Sequence, residues 1–88
     1  MSTLRDTGTR FELDEGGLTS WADYRLASGR LVLDHVEAPA GLRGTGAVGR
    51  LMTAVAEDAR ARGLKITPIC GYAAAWLQRS KAYADLTA

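Results

Sequence analysis

The stretch from Val36 to Leu51 constrains this chain more than any other. Upstream of it, apolar residues recur at every second position, as along a strand. Downstream they recur at steps of three and four, as along a helix. Between the two patterns stand Pro39 and the loop Ala40–Gly46, with its three glycines Gly41, Gly44 and Gly46. Proline removes a ladder donor and stops the strand. Glycine lets the backbone turn back and approach a neighbour closely. The chain must therefore build a sheet, leave it through a glycine-rich bend and return along a helix.

The flanking residues extend this plan. Phe11, Leu13 and Glu15 alternate along a short strand, Arg10–Glu15, and Gly16-Gly17 is a hairpin turn signal. Leu18–Ala27 places Leu18, Ser20, Ala22, Tyr24 and Leu26 on one face. After the turn Ser28-Gly29, Arg30–Ala38 alternates with Leu31, Leu33, His35 and Glu37 on one face and Val32, Asp34 and Val36 on the other. Beyond the loop, Val48, Leu51, Met52, Val55 and Ala59 form one helical face, and Arg50, Glu57, Asp58, Arg60 and Arg62 lie opposite. Gly63 suits the position that ends the helix. Leu64–Cys70 reads as a fourth strand, in which Pro68 marks an edge, a bulge or the end. The alanine-rich Tyr72–Tyr83 reads as a second helix. Strand, helix, strand is a crossover, so the third and fourth strands run parallel if adjacent. The expected fold is α+β: an antiparallel three-stranded meander with a parallel-added strand and two helices. Residues 10–88 form its one domain, behind a flexible lead-in over residues 1–9.

Composition narrows the function classes. With 88 residues there is room for a single small domain. At 47% apolar and 24% charged it is not compositionally disordered. Eleven Lys and Arg against ten Asp and Glu leave a net charge of +1, which argues against a dedicated nucleic-acid or acidic-membrane binder. One cysteine excludes an internal disulfide and a thiolate zinc site, and one histidine excludes a His-rich site, so no metal is expected. No apolar run approaches the ~20 residues that span a bilayer. Met1–Arg10 has no hydrophobic signal core. A cytoplasmic setting with a reduced thiol is expected.

The chemistry concentrates at the bend. A helix start presents unpaired N–H groups and the positive end of the macrodipole. Arg43 adds a forked cation beside them. Together they describe an anion site, most naturally for phosphate or diphosphate. The residues after Gly46 are Ala47-Val48, so this is not a Walker A loop, which needs Lys-Ser/Thr there. Gly44-x-Gly46-x-x-Gly49 has dinucleotide-fingerprint spacing, but an antiparallel meander and a short chain do not supply the parallel sheet of that fold. The bland alternative is a glycine-rich connection that merely joins strand to helix.

Arg43-Gly44-Thr45-Gly46-Ala47-Val48 resembles the Arg/Gln-x-x-Gly-x-Gly/Ala loop of the GNAT N-acetyltransferases. The blocks His35–Pro39, Leu42–Gly46, Pro68–Tyr72 and Tyr83–Leu86 are similar to the small, single-domain YjdJ-type GNAT-like family, and the likeness spans Phe11 to Leu86. The resemblance implies a GNAT-like minimal fold that binds acetyl-coenzyme A, or coenzyme A, with loop amides on its diphosphate. Mapped onto this sequence, the cofactor-binding residues are Val36, Glu37, Arg43, Gly44, Thr45, Gly46, Ala47, Val48, Gly49, Cys70 and Tyr72. Two departures stand out. Val48 replaces the Gly or Ala the loop pattern prefers, and Ser80-Lys81 replaces the small family's usual His-Pro.

Three residues are the expected catalytic set: Cys70, Glu37 and His35. A thiol at the end of the fourth strand suits a nucleophile or a group that positions a thioester, although a lone cysteine is also a common small core residue. Glu37 and His35 share a strand face by alternation and suit a base for an amine proton. Their structural alternatives are a solvated strand end and a half-buried histidine. Tyr72 or Tyr83 suits protonation of a departing thiolate, or simple packing. Trp21 and Trp76 read as packing residues. The implied reaction is acetyl transfer from acetyl-coenzyme A to an amine acceptor, a small molecule or a protein. The rivals are a non-catalytic acyl-coenzyme A-binding module and a small structural domain with no ligand. The exposed edge of the sheet allows a monomer or a weak dimer.

Overall fold

The computed structural model describes residues 4–87. Its five strands form one sheet in chain order: β1 (Leu4–Asp6), β2 (Arg10–Glu15), β3 (Leu18–Ala27), β4 (Arg30–Glu37) and β5 (Lys65–Pro68). The first four are antiparallel neighbours, and β5 adds parallel to β4. Helix α1 (Ala47–Ala61) makes the crossover between β4 and β5, and α2 (Gly71–Arg79) follows β5. Short 3-10 turns at Ala40–Leu42 and Ala84–Thr87 complete the chain.

Both helices and the sheet share one core. Phe11 and Leu13, Ala22 and Tyr24, Leu31, Leu33 and Val36, and Ile66 point from the strands to Leu51, Met52, Val55, Ala56 and Ala59 of α1 and to Ala73 and Leu77 of α2. Phe11 stacks on Tyr24 with ring centroids 4.4 Å apart. The α1 stripe at steps of three and four is therefore the core face, as its spacing requires. The other face of the sheet carries Arg10, Trp21, Asp23, Arg25, His35 and Glu37, with Arg10 paired to Asp23 at 2.7 Å and lying over the Trp21 ring.

Four expectations need correction. Leu4–Asp6, assigned to a loose lead-in, is an edge strand paired to β2, with Leu4 opposite Leu13. Residues 1–3 of that lead-in lie outside the described residues. The sheet therefore has five strands, four of them antiparallel. Second, His35 and Glu37 do not share a face with Leu31 and Leu33. Tyr24 pairs with Leu33 and Asp23 with His35, so Asp34 is an extra residue, a bulge that resets the alternation. Val36 then enters the core, and His35 and Glu37 turn to the open face. Third, the parallel strand is shorter than Leu64–Cys70, because Pro68 closes it and Cys70 becomes the N-cap of α2. Fourth, α2 stops at Arg79 rather than Tyr83. The Ser80 carbonyl accepts from both Tyr83 and Ala84, turning the chain so that Leu86 reaches the core.

Candidate functional site: the bend between β4 and α1

The bulge at Asp34 and the end of β5 at Pro68 open the sheet. Pairing of β4 with β5 runs only from Arg30 opposite Lys65 to Leu33 opposite Pro68. The last ties are at Leu33, whose carbonyl accepts from the N–H groups of Ile69 at 2.9 Å and Cys70 at 3.2 Å. Beyond that point His35–Glu37 pairs with β3 alone, and β4 leaves a free edge. Cys70 stands where the two strands part.

The bend above this edge is built by local bonds. N–H groups of Leu42, Arg43 and Thr45 donate to the carbonyls of Pro39, Ala40 and Leu42 at 2.9, 3.2 and 3.3 Å. The Thr45 hydroxyl donates to Leu42 O at 2.5 Å. Beneath it, Ala38, Leu42 and Ala47 form a small apolar cluster against which Val48 packs. Gly44 and Gly46 take φ of +78° and +84°, the left-handed region that glycine enters without a Cβ clash. Helix α1 starts directly after Gly46, and its first internal bond is Arg50 N–H to Gly46 O. Among the described residues, no protein acceptor takes the N–H groups of Gly44, Gly46, Ala47, Val48 or Gly49.

Those amides border a cleft of about 350 Å³ lined by Leu42, Arg43, Gly44, Gly46, Ala47, Val48, Gly49 and Tyr72. Tyr72 comes from the first turn of α2 and is half-exposed, at 45%. Thus most of the residues expected around a diphosphate line one cleft. Thr45 and Val36 do not: Val36 is in the core, and the N–H groups of both Arg43 and Thr45 are spent within the bend. Arg43 contributes instead by its exposed side chain, which reaches back to Ala38 O and to Glu37 Oε1, each at 3.4 Å.

His35, Glu37 and Arg43 form a row along the free end of β4. His35 Nε2 lies 2.9 Å from Glu37 Oε2. The hydrogen bond from His35, with the charge of Arg43, holds the Glu37 carboxyl below the usual carboxylate range despite some burial. Arg43 also lines the cleft, whereas His35 and Glu37 sit on the open face of the sheet and, like Cys70, are not part of the cleft lining. Cys70 is partly buried against the main core. Tyr83 is engaged elsewhere: its hydroxyl donates to Glu57 at 2.5 Å, its ring stacks on Trp76, and Arg60 lies over it.

Sequence reasoning missed one feature of the site. Arg50, assigned to a solvated helix face, forms a forked pair with Glu15 at the tip of the β2–β3 hairpin, at 2.7 and 2.9 Å. Its third nitrogen donates to Thr45 O at 3.0 Å. No local pattern joins residues this far apart in the chain. Among the described residues, no group of three or more His, Cys, Asp or Glu is placed to hold a metal ion, and no helix is long and apolar enough to cross a membrane.

The GCN5-related N-acetyl-transferase family matches residues 10–86. The chain belongs to that family. A similar solved structure is the NMR solution structure of a GCN5-like protein from Staphylococcus aureus, 27% identical, with a TM-score of 0.70 over 96% of this chain and 85% of that one. No curated protein matches the chain. The family and the shared fold support acyl transfer as the general class of activity.

Proposed function

We propose that this GCN5-related domain binds acetyl-coenzyme A and passes the acetyl group to an amine. One observation carries the reading: among the described residues, five main-chain N–H groups at Gly44 and Gly46–Gly49 are unclaimed by protein acceptors and border a cleft of about 350 Å³. A diphosphate is the ligand chemistry such a row suits, since a helix N-terminus and convergent amides favour multiply charged oxygens. The volume is within the range of ordinary small-ligand sites, ~300–1,000 Å³. Arg43 adds an exposed cation at the mouth. The free edge of β4 beside Asp34–Glu37 suits the amide-bearing arm of coenzyme A, as an open strand takes an extended peptide. That puts Val36 and Glu37 in contact by main chain rather than side chain.

Acetyl-coenzyme A supplies a thioester carbonyl already activated toward amines. The protein's own part is orientation and proton handling. With Nε2–H donated to Glu37, His35 keeps Nδ1 as the basic nitrogen, and it takes the amine proton directly or through water. Glu37, kept ionised, fixes the tautomer. Cys70, at the parting of β4 and β5, is assigned to position or carry the acetyl group, and Tyr72 to return a proton to the departing thiolate. A cytoplasmic, reducing setting suits the lone thiol. The acceptor is an amine of a small molecule or protein, and the chain acts as a monomer or weak dimer.

A second reading, a non-catalytic acyl-coenzyme A-binding module, is favoured by the absence of His35, Glu37 and Cys70 from the cleft lining. Labelled acetyl-coenzyme A separates the two. Label appearing on members of an amine panel supports transfer, and stable protein-bound label lost in Cys70→Ala identifies a covalent route. Saturable binding with no transfer leaves the module. Coenzyme A at about 100 times its Kd adds about 2.7 kcal/mol of stability; an unchanged melting temperature in millimolar coenzyme A removes both.

A further inference from the structure

We propose that Glu15 and Arg50 are positioning residues for the amide row, a strap that aims the bend at its anion. This rests on the cofactor reading above. Every nitrogen of the Arg50 guanidinium is engaged: Nε and Nη2 on the Glu15 carboxylate, Nη1 on the Thr45 carbonyl. Glu15 is largely buried, with 15% of its side chain exposed, and its carboxyl is held low by the hydrogen bond from Arg50. A planar trans peptide points its C=O and N–H in opposite directions. Pinning Thr45 O toward Arg50 therefore turns Gly46 N–H away from it, toward the cleft that Gly46 lines. Gly46 also leaves room for the guanidinium, since a Cβ there would come 3.1 Å from Nη1. The strap ties the bend to the β2–β3 hairpin across 35 residues of chain, so the loop does not have to hold its own shape.

The rival role for Arg50 is a direct phosphate cation, and the two roles predict opposite signs. Removing Glu15 takes a negative charge away from an anion site and frees Arg50. A direct-contact arginine would then bind coenzyme A more tightly. A strap would bind it more weakly.

The test is calorimetric titration of coenzyme A into the wild-type protein and into Glu15→Gln, Glu15→Ala, Arg50→Lys and Arg50→Ala. Amide exchange of Leu42, Arg43, Thr45 and Arg50, the bonded N–H groups of the bend and the helix start, is measured by NMR on the same proteins without ligand. The strap predicts Kd raised about tenfold in Glu15→Ala and Arg50→Ala, with the double variant no worse than either single. Arg50→Lys, which keeps charge and loses the fork, should match Arg50→Ala. Exchange at Thr45 and Arg50, whose N–H groups are bonded to Leu42 O and Gly46 O, should quicken in each variant. Asp58→Asn, the same charge change at the far end of α1, should leave Kd unaltered. Tighter binding in Glu15→Ala, full rescue by Arg50→Lys, or unchanged exchange overturns the strap. If the wild-type protein itself fails to bind coenzyme A, the cofactor reading falls, and exchange alone decides whether the strap shapes the bend.

Discussion

Gly46 and Gly49 lie three residues apart in one loop-to-helix junction, yet alanine should move stability in opposite directions at the two positions. Gly46 has φ +84°, where a Cβ clashes with its own backbone. That strain costs about 1–2 kcal/mol. The Cβ would also come 3.1 Å from Arg50 Nη1, forcing the guanidinium to shift by a few tenths of an ångström. Stiffening of the unfolded chain returns about 0.4–1 kcal/mol. The net expectation for Gly46→Ala is a loss of about 1 kcal/mol. Gly49 sits in the first turn of α1, and its Cβ would meet Trp76 Nε1 at 3.7 Å, an ordinary contact. Gly49→Ala should therefore gain about 0.5–1 kcal/mol. In a domain of this size 1 kcal/mol is worth about 4–8 °C in Tm. Thermal denaturation of the two variants without ligand should straddle the wild type. Both variants shifting the same way would refute the assignment of backbone geometry to this junction. Coenzyme A affinity should fall in Gly46→Ala, because its methyl group displaces the Arg50 guanidinium that holds Thr45 O; a destabilised Gly46→Ala with unchanged affinity would separate the strain of the bend from its binding.

Two other perturbations probe the scaffold. Burial pushes the Asp6 carboxyl up, but hydrogen bonds from Tyr24 Oη at 2.6 Å and Gly8 N at 2.9 Å, with the charge of Arg62, outweigh it and leave it below the ordinary value. Asp14, Glu15, Glu37 and Asp85 are also held low, so stability should be complete above the unfolded carboxylate value of about 4 and lost as pH falls through the lowered native values. Urea denaturation should show Tyr24→Phe less stable by about 1 kcal/mol at pH 7, with a shallower acid-side decline; an unchanged pH profile would contradict the Asp6 assignment. Ser28 is the one non-glycine residue with positive φ, +50°, among the described residues, so Ser28→Gly should be neutral or slightly stabilising, and a clear loss of Tm would show that its side chain matters more than its backbone.

Local signals made most of the fold legible. Gly16-Gly17 and Ser28-Gly29 fixed two hairpins, and the change of period at Pro39 fixed the crossover. What escaped was set by partners rather than by pattern. Leu4–Asp6 is only three residues long, two of them charged, and it becomes a strand only because β2 offers a free edge. The Asp34 bulge is a mismatch of count between two strands, which neither strand displays alone, and it moved His35 and Glu37 to the opposite face. At the candidate site the glycines and the helix start were readable because they are contiguous. Tyr72, to which the family resemblance already pointed, joins the cleft through tertiary proximity, and Glu15, to which nothing local pointed, braces it in the same way. The bend also showed something composition does not: Arg43 and Thr45 spend their own N–H groups inward, leaving the outward row to Gly44 and Gly46–Gly49.

The most direct measurement is an NMR titration of the isotope-labelled protein with coenzyme A. The amide signals of Gly44, Gly46, Ala47, Val48 and Gly49 should shift together and saturate on one isotherm, while those of Leu42 and Thr45, already bonded inside the bend, move less. Saturable binding that leaves the Gly46–Gly49 amides in place, or no binding at all, would contradict the claim that this bend holds a diphosphate.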